Sequence, residues 1–231
     1  MGYYFYDLTG YGLVIIGTII TLVAQFYVNN RYKKYSKIET ESGLTGFEVA
    51  RKILDENGLT DIYVTETSGV LSDHYDPSRK VVRLSKEVFH GSTIAANSIA
   101  AHECGHAIQH KEGYLFIKIR SFIVPLVNFS SKFGYFAIMI GLLFGFIDLA
   151  WIGVGLLLTI LVFQLITLPT EFNASSRAKD KLKEYGILSN HELDGSNDVL
   201  RAAAWTYVAG LANTLLQILR LVLIVANRDD R

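Results

Sequence analysis

The chain has 231 residues, half of them hydrophobic and 19% charged, and its 22 basic and 22 acidic side chains cancel. No basic face accumulates, so a nucleic-acid partner is not expected. A single cysteine excludes an internal disulfide, and three prolines with no repeats or low-complexity tracts argue against disorder.

The first element is the uncharged run Leu8 to Val28, which meets the ~20 residues a membrane-spanning helix needs. Nothing basic precedes it and no small-residue cleavage site follows, so it reads as an uncleaved anchor, residues 1–29. The stretch "NNRYKKYSK" brings Arg31, Lys33, Lys34 and Lys37, against Asp7 alone on the other side. By the positive-inside rule the N-terminus lies outside, and a lobe covering residues 30–121 lies in the cytoplasm.

Within that lobe, "GLTGFEVARKILDENGL" has a helical rhythm at Phe47, Val49, Ala50, Ile53 and Leu54. Thr45 and Glu48 form a capping box at its start, and Asn57-Gly58 stops it. "VLSDHYDPSRKVVRLS" reads as a short β-hairpin, with alternation in Val82-Arg83-Leu84 and a turn at Asp76-Pro77. "SKEVFHG" is a short helix or turn, and "TIAANSIAAHECGHAIQHKEGY" a long, alanine-rich helix.

That helix carries the chemistry. Residues four apart share a helix face, so His102 and His106 can grip one ion, at about 2.0–2.1 Å each for zinc. Glu103 projects beside them, where a zinc peptidase keeps the general base for its water. His110 cannot join: eight residues of helix, about 12 Å of rise, separate it from His102. The longer pattern with a glycine three residues after the second histidine is also absent, since Gln109 stands there. Cys104 points away from both histidines and reads as a small buried side chain.

A second apolar block follows, a transmembrane hairpin over residues 122–168 that turns at "GFIDLA". Pro125 leaves open whether "FIVPLVNFSS" begins the helix or lies at the interface. Basic residues on both flanks, Lys118 and Arg120 before and Arg177, Lys179, Lys181 and Lys183 after, put both ends in the cytoplasm. Two crossings therefore return residues 169–206, the second part of the lobe, to the side of His102.

A catalytic zinc keeps three protein ligands and one open position. Among the later carboxylates, Glu112 is too close along the chain and Glu184 lies on a solvated face. Glu171 opens an alanine- and serine-rich helix that can pack closely on the first, and it is the expected third ligand; Glu192 and Asp198 are next in line. The alternative for Glu171 is a carboxylate favoured by a helix N-terminus. The last segment, residues 207–231, has a polar face at Asn213, Gln217 and Arg220. A span with that face turned into a helix bundle is favoured over an interfacial helix.

The blocks "SGLTGFEVARKIL", "LSDHYDP", "VRLS", "AAHECGHAIQH" and "LPTEFNASSRA" together resemble the bacterial membrane-bound neutral zinc metallopeptidases of the YugP type, distant relatives of the HtpX-like membrane proteases. The resemblance spans roughly Gly43 to Tyr207. It implies His102, His106 and Glu171 as zinc ligands and Glu103 as the base. In HtpX-like relatives an aspartate follows the ligand glutamate by four residues; here that place holds Ser175, so no carboxylate is identified to orient a histidine.

The expected protein is mainly α-helical and polytopic, with a small cytoplasmic zincin-like lobe containing a short β-hairpin. It is expected to bind Zn²⁺, to sit in the cell membrane, and to cleave peptide or membrane-protein substrates. His74 and Tyr207 are candidates for holding the oxyanion. The rival readings are a non-catalytic membrane protein with structural zinc, and a zinc-dependent hydrolase of a non-peptide substrate such as lipid.

Overall fold

The computed structural model describes residues 2–229, with side chains from residue 10 to residue 228. Met1 and residues 230–231, the outer ends of the expected anchor and C-terminal segment, lie outside the described residues. In chain order the elements are α1 (Gly2–Tyr35), α2 (Gly46–Glu56), β1 (Tyr63–Thr67), β2 (His74–Asp76), β3 (Val81–Ser85), α3 (Lys86–His90), α4 (Ile94–Lys111), α5 (Leu115–Phe144), α6 (Ile147–Glu184) and α7 (Asn190–Asp229). Four of these helices, α1, α5, α6 and α7, are long and apolar enough to cross a membrane. The protein is mainly helical with a small sheet, an architecture consistent with a polytopic membrane protein.

The chain divides into two compact units. The apolar unit takes the parts of α1, α5, α6 and α7 within Met1–Gln25, Ile119–Leu168 and Thr206–Arg231. Its helices meet at small residues. A Cβ on Gly134 would lie 3.2 Å from the carbonyl oxygen of Gly153, and one on Gly141 would lie 2.6 Å from the amide of Ala150. Around a small buried cluster that includes Ile138, Leu157 and Val225, many of its large side chains, among them Phe129, Phe133, Met139, Ile152 and Leu165, stay exposed. Helices in lipid associate by close packing of small residues, because lipid tails are as apolar as leucine. The polar face of α7 is turned towards α1. Asn213 lies where a side chain on Gly17 would be, and the Arg220 guanidinium is 5.9 Å from the ring centroid of Tyr11. Pro125 lies inside α5, which starts at Leu115, so the open question at "FIVPLVNFSS" resolves as helix.

The second, α/β unit, within Phe26–Lys118 and Pro169–Trp205, buries its large side chains instead. Val49, Ile53 and Leu54 of α2 are fully buried, with Val82 and Leu84 of β3 and Leu182 of α6. At about 1.5–3 kcal/mol per buried aliphatic side chain, α2 is held by packing. Its start is fixed by the expected capping box: the Glu48 amide donates to Thr45 Oγ1 at 3.3 Å, and the Thr45 amide to Glu48 Oε2 at 2.8 Å. Gly58 at φ +65° takes the left-handed position that ends it. The hairpin of β2 and β3 forms as expected. A further strand, β1, pairs in parallel with β3 and makes a three-stranded sheet of order β1-β3-β2. Central β3 is buried on both faces, whereas edge strand β1 is largely exposed, with Tyr63 at 72%, and so shows no apolar alternation.

Candidate metal centre

Helix α4 can be buried along nearly its whole length because its residues are small. Ala95, Ala96, Ala100, Ala101, Cys104 and Ala107 are all at most 3% exposed. Thr93 caps it, accepting from the Ala96 amide at 3.2 Å. His102 and His106 lie on one face, ring centroids 4.8 Å apart. Gly105, between them, sets the next contact. A Cβ there would sit 2.6 Å from the carbonyl oxygen and 3.2 Å from the Cα of Ala174 on α6. With Ala174 and Ala178 also fully buried, the backbones of α4 and α6 nearly touch.

This contact carries Glu171 to the histidines. Its Oε2 lies 3.4 Å from His102 Nε2 and 3.5 Å from His106 Nε2, and the side chain is 3% exposed. One ligand atom from each of the three residues lies within 4.8 Å of the others. Ligands about 2.0–2.1 Å from a tetrahedral zinc stand about 3.3 Å apart, so the two Glu171–histidine distances match that spacing, and two imidazole nitrogens with one carboxylate oxygen suit the ion in donor type. Burial opposes a charge on His106, but the hydrogen bond to Glu171 and the carboxylate of Glu103 outweigh it and raise its pKa.

Glu171 does not open a helix. It lies well inside α6, beyond Pro169, so the dipole of a helix N-terminus, which fades within the first turn, does not act on it. The other carboxylates weighed from the sequence are engaged elsewhere. Glu112 pairs with Arg177 at 2.7 Å and Glu184 with Lys181 at 2.7 Å. Glu192 accepts from the amides of Glu41 and Ser189, and Asp198 accepts from Arg31 and the Tyr35 hydroxyl.

The groups that orient the histidines are two residues the sequence presented only as departures from known patterns. His102 Nδ1 lies 3.2 Å from Ser175 Oγ, and His106 Nδ1 lies 3.0 Å from Gln109 Oε1. Gln109 Oε1 can only accept, so His106 Nδ1–H donates to it, whereas the Ser175 hydroxyl can serve His102 Nδ1 in either direction; a metal held on both Nε2 atoms would make each Nδ1–H the donor. Gln109 is fully buried and in turn donates from Nε2 to the Thr170 carbonyl at 2.8 Å and to Asn173 Oδ1 at 2.9 Å. Asn173 Oδ1 also accepts from Arg177 Nε at 2.7 Å, and Arg177 meets Glu112. A continuous chain of partners thus runs from His106 to the surface, tying α4 to α6 at the ligands.

Glu103 is buried at 7% exposure, one residue from His102. Its charge is felt by Asp73, an acid that sequence reading passed over within "LSDHYDP". Burial pushes the Asp73 carboxyl up, the Glu103 charge adds to this, and hydrogen bonds from the Ser85 amide at 2.7 Å and the Ser85 hydroxyl oppose it. Cys104 is fully buried, and burial pushes its thiol far up, so it stays a neutral packing residue. His110 lies outside the cluster, exposed and edge-on to Tyr75 at 6.2 Å. His74 is exposed on β2, its Nδ1 2.8 Å from the Ser72 carbonyl. Tyr207, 40% exposed, belongs to α7 in the apolar unit, whereas all three clustered residues belong to the α/β unit.

A family described as "Putative neutral zinc metallopeptidase" matches residues 11–226. The chain is 48% identical over 218 residues to a protein of Bacillus subtilis (strain 168) named "Putative membrane protease YugP", covering 94% of this chain and 97% of the relative. No solved structure matches it. A match that includes the histidine helix, the Glu171 segment and the apolar helices on either side places the chain in this family of membrane-bound neutral zinc metallopeptidases.

Proposed function

We propose that the protein is a membrane-embedded zinc-dependent endopeptidase in which His102 Nε2, His106 Nε2 and Glu171 hold the metal and Glu103 is the general base, a gluzincin-like HExxH arrangement. The observation that carries this reading is the three-residue cluster with Glu103 buried beside it. Bound there, Zn²⁺ supplies Lewis acidity towards a peptide carbonyl and brings the ionisation of water towards about pH 7. The Glu103 carboxylate takes one proton from the attacking water as its oxygen bonds to the carbonyl carbon. It then gives that proton to the departing amine nitrogen as the C–N bond breaks. Ser175 and Gln109 hold both imidazoles in the tautomer that leaves Nε2 for the metal. Edge strand β2 offers its open side to an extended substrate backbone, with His74 on it. His74 and Tyr207 are the candidate oxyanion donors.

Sidedness follows from charge. Residues 30–121 and 169–206 form a cytoplasmic catalytic lobe, joined by an N-terminal anchor, a hairpin over 122–168 and a spanning helix over 207–231. The basic flanks support this arrangement, as does the polar face of α7 lying against α1 rather than open to lipid. A structural zinc would require a fourth protein ligand, and the cluster among the described residues supplies three.

The test is Glu103→Gln, which keeps every proposed ligand and removes the proton acceptor. Purified with one zinc per chain, it should retain the metal and lose hydrolysis of a quenched-fluorescent peptide. Cleavage at the wild-type rate would refute the role of Glu103.

A further inference from the structure

The α/β unit holds a groove of about 290 Å³ lined by Phe172, Ser175, Ser176 and Lys179 of α6 and by Asn197, Leu200, Arg201 and Ala204 of α7. On each helix the lining residues recur at helical spacing, so the groove runs along the seam between the two. It shares the stretch 171–175 with the metal cluster: Glu171 is a cluster member, Phe172 is a wall of the groove, and Ser175 both lines the groove and holds His102 Nδ1.

Its charge is one-sided. Neighbouring cations on α6 are neutralised, Arg177 by Glu112 and Lys181 by Glu184. Among the described residues, neither Lys179 nor Arg201 has an ion pair, and the groove is lined by no carboxylate. Phe172, Leu200 and Ala204 form an apolar wall; Ser176 and Asn197 add neutral hydrogen-bonding groups. The volume lies at the bottom of the range for small-molecule pockets, about 300–1,000 Å³, and suits one side chain. The composition suits an aliphatic stem ending in a carboxylate.

We infer that this groove is a substrate subsite for an acidic side chain, glutamate above all, with Arg201 and Lys179 as its specificity-determining residues. The inference rests on the peptidase reading. Lys179 is eight residues from Glu171, about 12 Å along the helix. Two extended substrate residues span about 7 Å, and the glutamate and lysine side chains close the remainder. The acidic residue therefore falls within a few positions of the scissile bond. Lys179 and Arg201 are exposed, so each attracts a carboxylate at partial screening.

The experiment uses the full chain in detergent, zinc-loaded and carrying Glu103→Gln so that bound peptide is not consumed. Anisotropy with a fluorescent alanine-based peptide, glutamate placed at one position at a time, should show one position where glutamate tightens binding about five- to tenfold over alanine. Adding Lys179→Glu and Arg201→Glu should abolish that preference and turn it towards lysine at the same position. Lys179→Gln with Arg201→Gln should remove the preference without reversing it; zinc content reports that each variant is folded. A glutamate preference that survives charge reversal, or the absence of any preferred position, overturns the proposal. So does displacement of the glutamate peptide by phosphatidylglycerol nanodiscs but not phosphatidylcholine ones, if charge reversal abolishes it, because the groove then takes a lipid headgroup. Failure of the enzyme with Glu103 intact to cleave the peptides that bind would refute the peptidase reading separately, since the preference is read from binding alone.

Discussion

The two units use small residues in the same way and to different ends. In the apolar unit, Gly134 against Gly153 and Gly141 against Ala150 bring helices close while phenylalanines and leucines face outward. Lipid meets those outward faces, so close packing of backbones is the main source of cohesion. In the α/β unit, Gly105 against Ala174 makes an equally close approach, but the large side chains are inside and the contact fixes a distance between chemical groups. A few tenths of an ångström lost between α5 and α6 costs packing but displaces none of the clustered metal-binding residues. The same loss between α4 and α6 moves Glu171 off two histidines.

The largest expected break in this comparison is Gly105→Val. The added carbons would overlap the Ala174 backbone, which cannot swing aside as a side chain can. Overpacking there should cost about 3 kcal/mol or more, and the protein should lose its zinc. Gly155→Ala, where a Cβ meets nothing within 4 Å, should stay within about 1 kcal/mol of the parent. Zinc content and thermal unfolding in detergent compare the two; equal zinc retention would show that the helix contact does not set the site.

Gln109→Leu is the next largest. It keeps the volume but removes the group that accepts from His106 Nδ1–H and bridges to Asn173 Oδ1. Zinc affinity should fall by about 10- to 100-fold, as for removal of a ligand's orienting group. Ser175→Ala, at the longer 3.2 Å contact on His102, should fall nearer the lower limit of that range, about tenfold. Competition with a chelator measures both; wild-type affinity in Gln109→Leu would remove the orienting role. The smallest effect is expected at Thr45→Ala, which removes a cap from α2 and nothing from the metal. It should lower stability by about 1 kcal/mol with zinc affinity unchanged.

The same contrast decides what was legible in the sequence. Long uncharged runs announce the apolar helices, because burial in lipid leaves no periodicity to miss. The histidine pair is legible because its spacing is local to one helix, and the Thr45–Glu48 box because a cap needs only four residues. Strand β1 was hidden: an exposed edge strand carries no alternation, and its partner β3 lies beyond β2 in sequence. Glu171 was found as a residue but not as mid-helix, since nothing in "LPTEFNASSRA" says that α6 continues through Pro169. Gln109 and Ser175 showed only as residues standing where known patterns place glycine and aspartate. Their partnerships depend on how α4 and α6 meet, and that is set by Gly105 and Ala174 together.

In the proposed site two helices distant in sequence complete one metal sphere, and Glu171→Gln tests this most directly. The amide keeps the size of the side chain and removes the anionic ligand. Zinc affinity, measured by chelator competition on the purified full-length protein, should fall by more than the about 10- to 100-fold expected for a merely supporting residue, and peptide hydrolysis should disappear. Affinity unchanged from wild type would contradict the account and move the third ligand to another carboxylate.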